Sequence, residues 1–173
     1  MDEERLKKAE NNFVNYLKEG KIKKTEVFEE VVYQTYLRNA RESLNVANYV
    51  FENKLSSLWV VVSSYYSMFY IACAYLYKLG YKPGEEIVHQ VVNECLIVQG
   101  RHKIKNYLLE NYSEEKQDAL GLVDNYLDSY EQEKSKRGKF QYQTTEEIKE
   151  SKAKTSLNRA KEFLTLIEEL LGD

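Results

Sequence analysis

The chain has 173 residues, 43% of them hydrophobic and 31% charged, with a formal net charge of −3. That mixture excludes a disordered segment, and the acidic balance excludes a molecule that is a polycation as a whole, so nucleic-acid contact has to come from a local basic patch. One proline and seven glycines are too few for the turns of an all-β fold, and long helices are expected instead.

Apolar residues recur at helical spacing along nearly the whole sequence. A first helix is predicted over residues 2–19, with Leu6, Ala9, Phe13 and Leu17 on one face and Gly20 at its end. Its charged start, MDEERLKKAE, is unlike a signal peptide. "KIKK" reads as a solvated link, and Thr25 as the cap of a second helix that continues to about Phe51. Tyr33, Leu37, Ala40, Leu44, Ala47 and Phe51 keep one seam of that helix toward a partner.

A third helix follows Asn53 and Lys54, with Leu58, Val62, Tyr65, Phe69, Ala72, Leu76 and Leu79 as its seam. Its other side carries Val60, Ser63, Ser64, Ser67, Ile71 and Ala74. These are small or apolar and admit a close neighbour, which places this helix at the centre. Residues 55–77 hold no charge and are long enough to span a bilayer. Serines and tyrosines alternate there with aliphatics, which favours a soluble helix covered on all sides and no membrane. Gly80 ends the helix and "YKPG" is read as a turn.

Two shorter helices are expected over residues 85–99 and 101–111, parted by Gly100. Ser113 with Glu114 and Glu115 reads as the start of another, carrying Leu120, Val123, Leu127 and Tyr130 inward and running to Arg137, where Gly138 closes it. Thr144 and Glu147 form a capping box for a last helix, with Ala153, Leu157, Ala160, Leu164, Ile167 and Leu171 inward. The sum is an all-α protein: an antiparallel up-and-down bundle of four or five helices over residues 31–173, with an additional N-terminal helix in residues 1–30.

Few residues offer chemistry. Cys73 and Cys95 sit among apolar neighbours without a CxxC pair or Cys/His cluster, so they read as buried thiols of a reducing compartment, and no metal is expected. His89 lies inside the apolar run "EEIVHQVVNECL" and reads as a hydrogen-bonded helix histidine ahead of a catalytic one, while His102 should be exposed. Serines 63, 64 and 67 lack a nucleophile elbow, and no glycine-rich phosphate loop or other cofactor motif is present. Asp124 and Asp128, one helical turn apart, could share a metal, but such a row is more often a solvated face.

The stretch "KSKRGKFQYQ" gathers Lys134, Lys136, Arg137 and Lys139 at a helix end, with Tyr142 five residues beyond the arginine. Two accounts stand side by side. Cations at a helix C-terminus complement its dipole, worth about 0.3–1 kcal/mol each when exposed. Equally, the planar guanidinium of Arg137 suits two-pronged contact with phosphate, and Tyr142 can stack on a base or donate a hydrogen bond.

Taken together, "YLRNARESLNVANYVFEN", "LWVVVSSYYSMFYIACAYLYKLGY", a histidine-bearing helix, "KSKRGKFQY" and "TTEEIKESKAKTSLNRAKEFLTLIEELL" resemble the HEPN family, the higher eukaryotes and prokaryotes nucleotide-binding domain. The resemblance runs from about Tyr33 to Leu171. It implies an all-α bundle, commonly a homodimer, often paired with a minimal nucleotidyltransferase in a toxin–antitoxin system, and in some members a metal-independent ribonuclease. The ribonuclease members carry an arginine followed four to six residues on by a histidine. Arg137 matches the arginine, but Tyr142 stands where the histidine would be. A tyrosine near pKa 10 is a poor general base, so the resemblance implies nucleotide or RNA binding in the cytoplasm with weak catalysis or none. A metal-independent ribonuclease toxin using Arg137, and a purely structural or interaction bundle in which Arg137 is only a helix end, remain the other readings.

Overall fold

The computed structural model describes residues 1–135 and 148–172, with side chains described over residues 1–124 and 148–172. Six helices and one short ribbon follow in chain order: α1 Glu3–Lys18, β1 Ile22–Lys24, α2 Glu30–Glu52, α3 Ser57–Lys78, β2 Tyr81–Pro83, α4 Val88–Gly100, α5 Asn106–Ser135 and α6 Glu150–Leu171. The fold is an all-α bundle, as the helical periodicity implies.

Helix α3 is the axis, with α2, α4, α5 and α6 packed around it. It is buried along most of its length, including Val61, Tyr65, Met68, Ile71 and Leu76. Small buried residues, Ala40 and Ala47 of α2 and Ala153, Ser156 and Ala160 of α6, let these two helices approach it closely. In length and mean hydropathy, 1.3, α3 could cross a bilayer, but 67% of that window is buried inside the protein. All six inward positions expected of the last helix are buried.

Four local readings of the sequence are corrected. The "KIKK" link is a β-strand: β1 pairs antiparallel with β2, so "YKPG" is largely strand as well. Thr25 is not a helix cap. Its N–H donates to the Gly80 carbonyl at 2.8 Å, prolonging the ribbon, and α2 starts only at Glu30. Helix α4 begins at Val88 and not near residue 85, because Ile87 adopts a left-handed φ of 41° that breaks the helical path. Finally, residues 101–111 and the helix expected from Ser113 are not two elements. One helix, α5, begins at Asn106 and passes through Ser113, whose Oγ lies 3.0 Å from the Leu109 carbonyl four residues back. The acidic pair behind Ser113 is held from outside: Arg159 Nη1 sits 3.0 Å from Glu114 and 2.9 Å from the fully buried Glu115.

The first thirty residues lie against the bundle. Ala9, Phe13 and Tyr16 of α1 are buried, and α1 packs on α4. Phe13 meets Tyr81 of β2 edge-on at 5.4 Å, and Ile22 is fully buried. At the other side of the molecule α5 and α6 run antiparallel, tied by a Lys152–Asp118 ion pair. Helix α6 starts two residues before Lys152, whereas α5 continues for 17 residues beyond Asp118, about 25 Å of helix.

Phe163 is fully buried and its ring lies 5.5 Å from that of Tyr112, which joins α5 to α6. Phe163→Ala should cost about 3–5 kcal/mol. The exposed Val31, truncated to Ala, should stay within about 0.5 kcal/mol of the parent. Urea midpoints at unchanged m-value measure both.

Candidate functional site

The basic cluster singled out by the sequence falls, in chain order, at the end of α5 and between it and α6. Lys134 belongs to the last turn of α5, although its side chain is outside the described residues, as is that of Asp128. Lys136, Arg137, Lys139 and Tyr142 lie wholly outside the described residues, together with Gly138 and the Thr144–Glu147 box. Asp124 is exposed on α5. Among the described residues no three His, Cys, Asp or Glu side chains converge on a metal position.

What receives the chain after this connection is a cleft of about 290 Å³. Phe51, Lys54, Ser56 and Val60 line it from the α2–α3 side, and Ile148 and Lys149 from the start of α6. Ser56 caps α3 by accepting from the Trp59 N–H at 3.3 Å. Neither Lys54 nor Lys149 forms an ion pair with a described carboxylate. The cleft wall is thus mixed, with Val50, Phe51, Val60 and Ile148 beside Ser56 and Ser57, and Glu150 shares it with the two lysines.

His89 lies elsewhere, in the first turn of α4. Its Nδ1 is 2.8 Å from the Tyr65 hydroxyl, and its ring lies 4.4 Å from Phe69 and edge-on to Tyr66 at 5.7 Å. Burial pushes the Tyr65 hydroxyl well above its ordinary range, so it keeps its proton. Tyr65 therefore donates to Nδ1 of a neutral imidazole whose own proton is on Nε2. Burial, and secondly the charge of Lys116, lower the His89 pKa below 6.5. This is the hydrogen-bonded helix histidine the sequence suggests, with its basic nitrogen already engaged. His102 is exposed, with Arg101 Nε 3.1 Å from its Nε2.

Beside His89 runs a polar network that no sequence motif signals. Glu94 is 1% exposed, yet its carboxylate receives Arg5 Nη1 at 2.6 Å and Nη2 at 2.9 Å, and Gln90 Nε2 at 2.6 Å. Gln90 in turn accepts from Lys116 Nζ at 2.5 Å. Burial lowers the Lys116 pKa, with Glu94 opposing that shift. Arg101 and Glu10 add a second α4–α1 tie at 2.7 Å, and the Met1 amine binds Glu110. The one hint in the sequence is a lone carboxylate inside "VVNECLIV", but its partner stands 89 residues away. Every group here has its partner, so the network fixes α1 to the bundle and offers no open position for catalysis. Both cysteines are buried and free, and burial raises the Cys95 thiol to about 12, which leaves it inert.

Against known proteins, the model of one family, the HEPN domain, matches residues 33–170. No curated protein and no solved structure gives a match.

Two outcomes follow from the α1–α4 contact and from His89. Arg5→Ala leaves Glu94 buried without its counter-ion and should cost about 3–5 kcal/mol in equilibrium unfolding, while Arg38→Ala, whose partner Glu42 is as exposed as itself, should cost under about 1 kcal/mol. Because folding depresses the His89 pKa, the unfolded chain binds the proton more tightly. The His89 contribution to stability is complete above pH 6.5 and is lost as pH falls through the folded-state pKa. NMR titration should place the His89 midpoint below the ordinary histidine value of 6.5.

Proposed function

The chain belongs to the HEPN domain family, and on that premise we propose that it binds nucleotide or RNA at the Arg137 turn with weak catalysis or none. Its working form is a homodimer that associates with a minimal nucleotidyltransferase, as a toxin–antitoxin component. The observation that carries this reading is the replacement at the family's catalytic spacing: Arg137 is kept and Tyr142 stands in for the histidine, within the matched residues.

Arg137 supplies the part of the chemistry that does not need a histidine. A guanidinium offers two parallel N–H donors to phosphate oxygens and keeps its charge at any working pH. Tyr142 can donate a hydrogen bond but, near pKa 10, rarely accepts a proton at neutral pH. His89 does not repair the deficit, since its Nδ1 is bound to Tyr65 within the α3–α4 contact. Lys54 and Lys149, which form no ion pair with a described carboxylate, line the cleft where the chain returns through Ile148, together with Glu150. Tyr49, Leu55 and Trp59 stand more than half exposed around the α2–α3 turn that borders this cleft. Such an apolar cluster supports a dimer face.

The retained arginine also favours one second reading, a metal-independent ribonuclease in which Arg137 stabilises charge on the scissile phosphate. The same experiment separates the two. Labelled single-stranded RNA should bind the wild type, and Arg137→Ala should weaken binding about tenfold, the loss of one charge-assisted phosphate contact. Cleavage in the presence of a chelator should be absent or trace for the wild type and rise in Tyr142→His. Brisk chelator-resistant cleavage by the wild type selects the ribonuclease; no affinity for RNA or nucleotide removes the binding reading.

A further inference from the structure

The β1–β2 ribbon joins the N-terminal segment to the connection between α3 and α4. Its register pairs Ile22 with Pro83, Lys23 with Lys82 and Lys24 with Tyr81. Directly paired residues project on the same side of an antiparallel ribbon. Ile22 is fully buried, so the pair it forms with Pro83 faces the bundle. The neighbouring pair therefore faces out, and both Lys23 and Lys82 are exposed.

Two ammonium stems thus start about 5 Å apart, an arrangement that destabilises a ribbon when nothing lies between the charges. Neither lysine forms an ion pair with a described carboxylate, and the same holds for Lys24 and Lys18 beside them. Lys21 alone is neutralised, by Glu19 at 2.7 Å. The ribbon cannot easily slip to separate them. The Thr25 N–H bonds to the Gly80 carbonyl at 2.8 Å at one end, and the Gly84 N–H to the Lys21 carbonyl at 2.8 Å at the other. A Cβ on Gly84 would come within 3.2 Å of that same carbonyl oxygen, so the backbones there are in close contact. Guarding a ribbon edge against aggregation needs lysines, but not two directly opposite each other.

We propose that Lys23 and Lys82 form a phosphate clamp for a single-stranded RNA backbone, a second contact that rests on the RNA reading of the Arg137 turn. One phosphodiester carries a single negative charge and two non-bridging oxygens, one for each ammonium group. The exposed Glu26, Glu85 and Glu86 flank the ribbon in sequence and confine the positive strip, which suits a narrow polyanion better than a flat anionic membrane. The ribbon follows the C-terminal end of α3, whereas the cleft next to the α5–α6 connection includes its N-terminal residues Ser57 and Val60. A strand that reaches both ends must extend along α3, about 33 Å for its 22 residues.

Lys82→Glu tests the clamp without risking the fold, because a glutamate opposite Lys23 creates a cross-strand ion pair. The variant should melt at or above the wild-type temperature. Its affinity for an RNA of about 20 nucleotides should fall about tenfold at low salt, and the slope of log affinity against log salt should flatten by about 0.7 per phosphate lost. Lys82→Arg should retain binding. If Lys82→Glu is stable and binds RNA with unchanged affinity and slope while Arg137→Ala is impaired, the clamp is wrong and the Arg137 site stands. If the wild type binds no RNA, the reading at Arg137 falls and the clamp with it. Loss of binding to anionic vesicles with RNA affinity intact would assign the pair to a membrane and overturn the proposal.

Discussion

A helix without charge has to be covered. From Ser57 to Tyr77 α3 carries no ionisable group except its tyrosines and Cys73, and a rod of that composition is unstable against water on any broad face. The remaining helices are arranged to meet that need. Helices α2 and α6 close over its small residues, while α4 and α5 meet Tyr65 and Phe69 through His89 and Tyr112. The hydrogen bond from Tyr65 to His89 follows from the same constraint, since a buried tyrosine hydroxyl needs an acceptor. What chemistry is left lies at the periphery, on turns and helix ends.

The carboxylates that enter the interior, and Asn93, are tied to partners on neighbouring elements. Glu94 is held by Arg5 and Gln90, Glu115 by Arg159, and Asn93 by Ser113. A buried charge pair of this kind contributes less to net stability than its geometry suggests, because both ions lose water. Its effect is on register: only one placement of α1 along α4 brings a guanidinium to Glu94. The N-terminal residues, which fall outside the family match, are therefore fixed on the family's own scaffold by specific ion pairs as well as by Phe13 and Ile22.

The helices were legible because their apolar residues keep a 3.6-residue period. The predicted inward positions Ala153 through Leu171 of the last helix are buried, as are Tyr33, Leu37, Ala40 and Ala47 of α2, with Leu44 and Phe51 partly so. What sequence reasoning missed depends on partners distant in the chain. Nothing local in "KIKK" reports that it will pair with residues 81–83, and a capping residue such as Thr25 loses that role once its N–H is claimed by Gly80. Ser113 followed by two glutamates imitates a helix start, yet Arg159 and Asn93 supply the partners that let the helix run on. At the candidate site, the reading of His89 as a bonded helix residue matches its contact with Tyr65, since a histidine within an apolar run needs a polar neighbour. The network around Glu94 was invisible, because the identity of its counter-ion is a fact of packing.

The guanidinium–carboxylate contact between α1 and α4 also constrains how this lineage can vary. A descendant that lost Arg5 first would inherit a buried carboxylate stripped of the guanidinium that meets both its oxygens. One that lost Glu94 first would keep a harmless, partly exposed arginine. The order of change is therefore asymmetric: position 94 turns neutral before position 5 is free to drift, and homologues that lack the leading helix should show an uncharged side chain where Glu94 now stands.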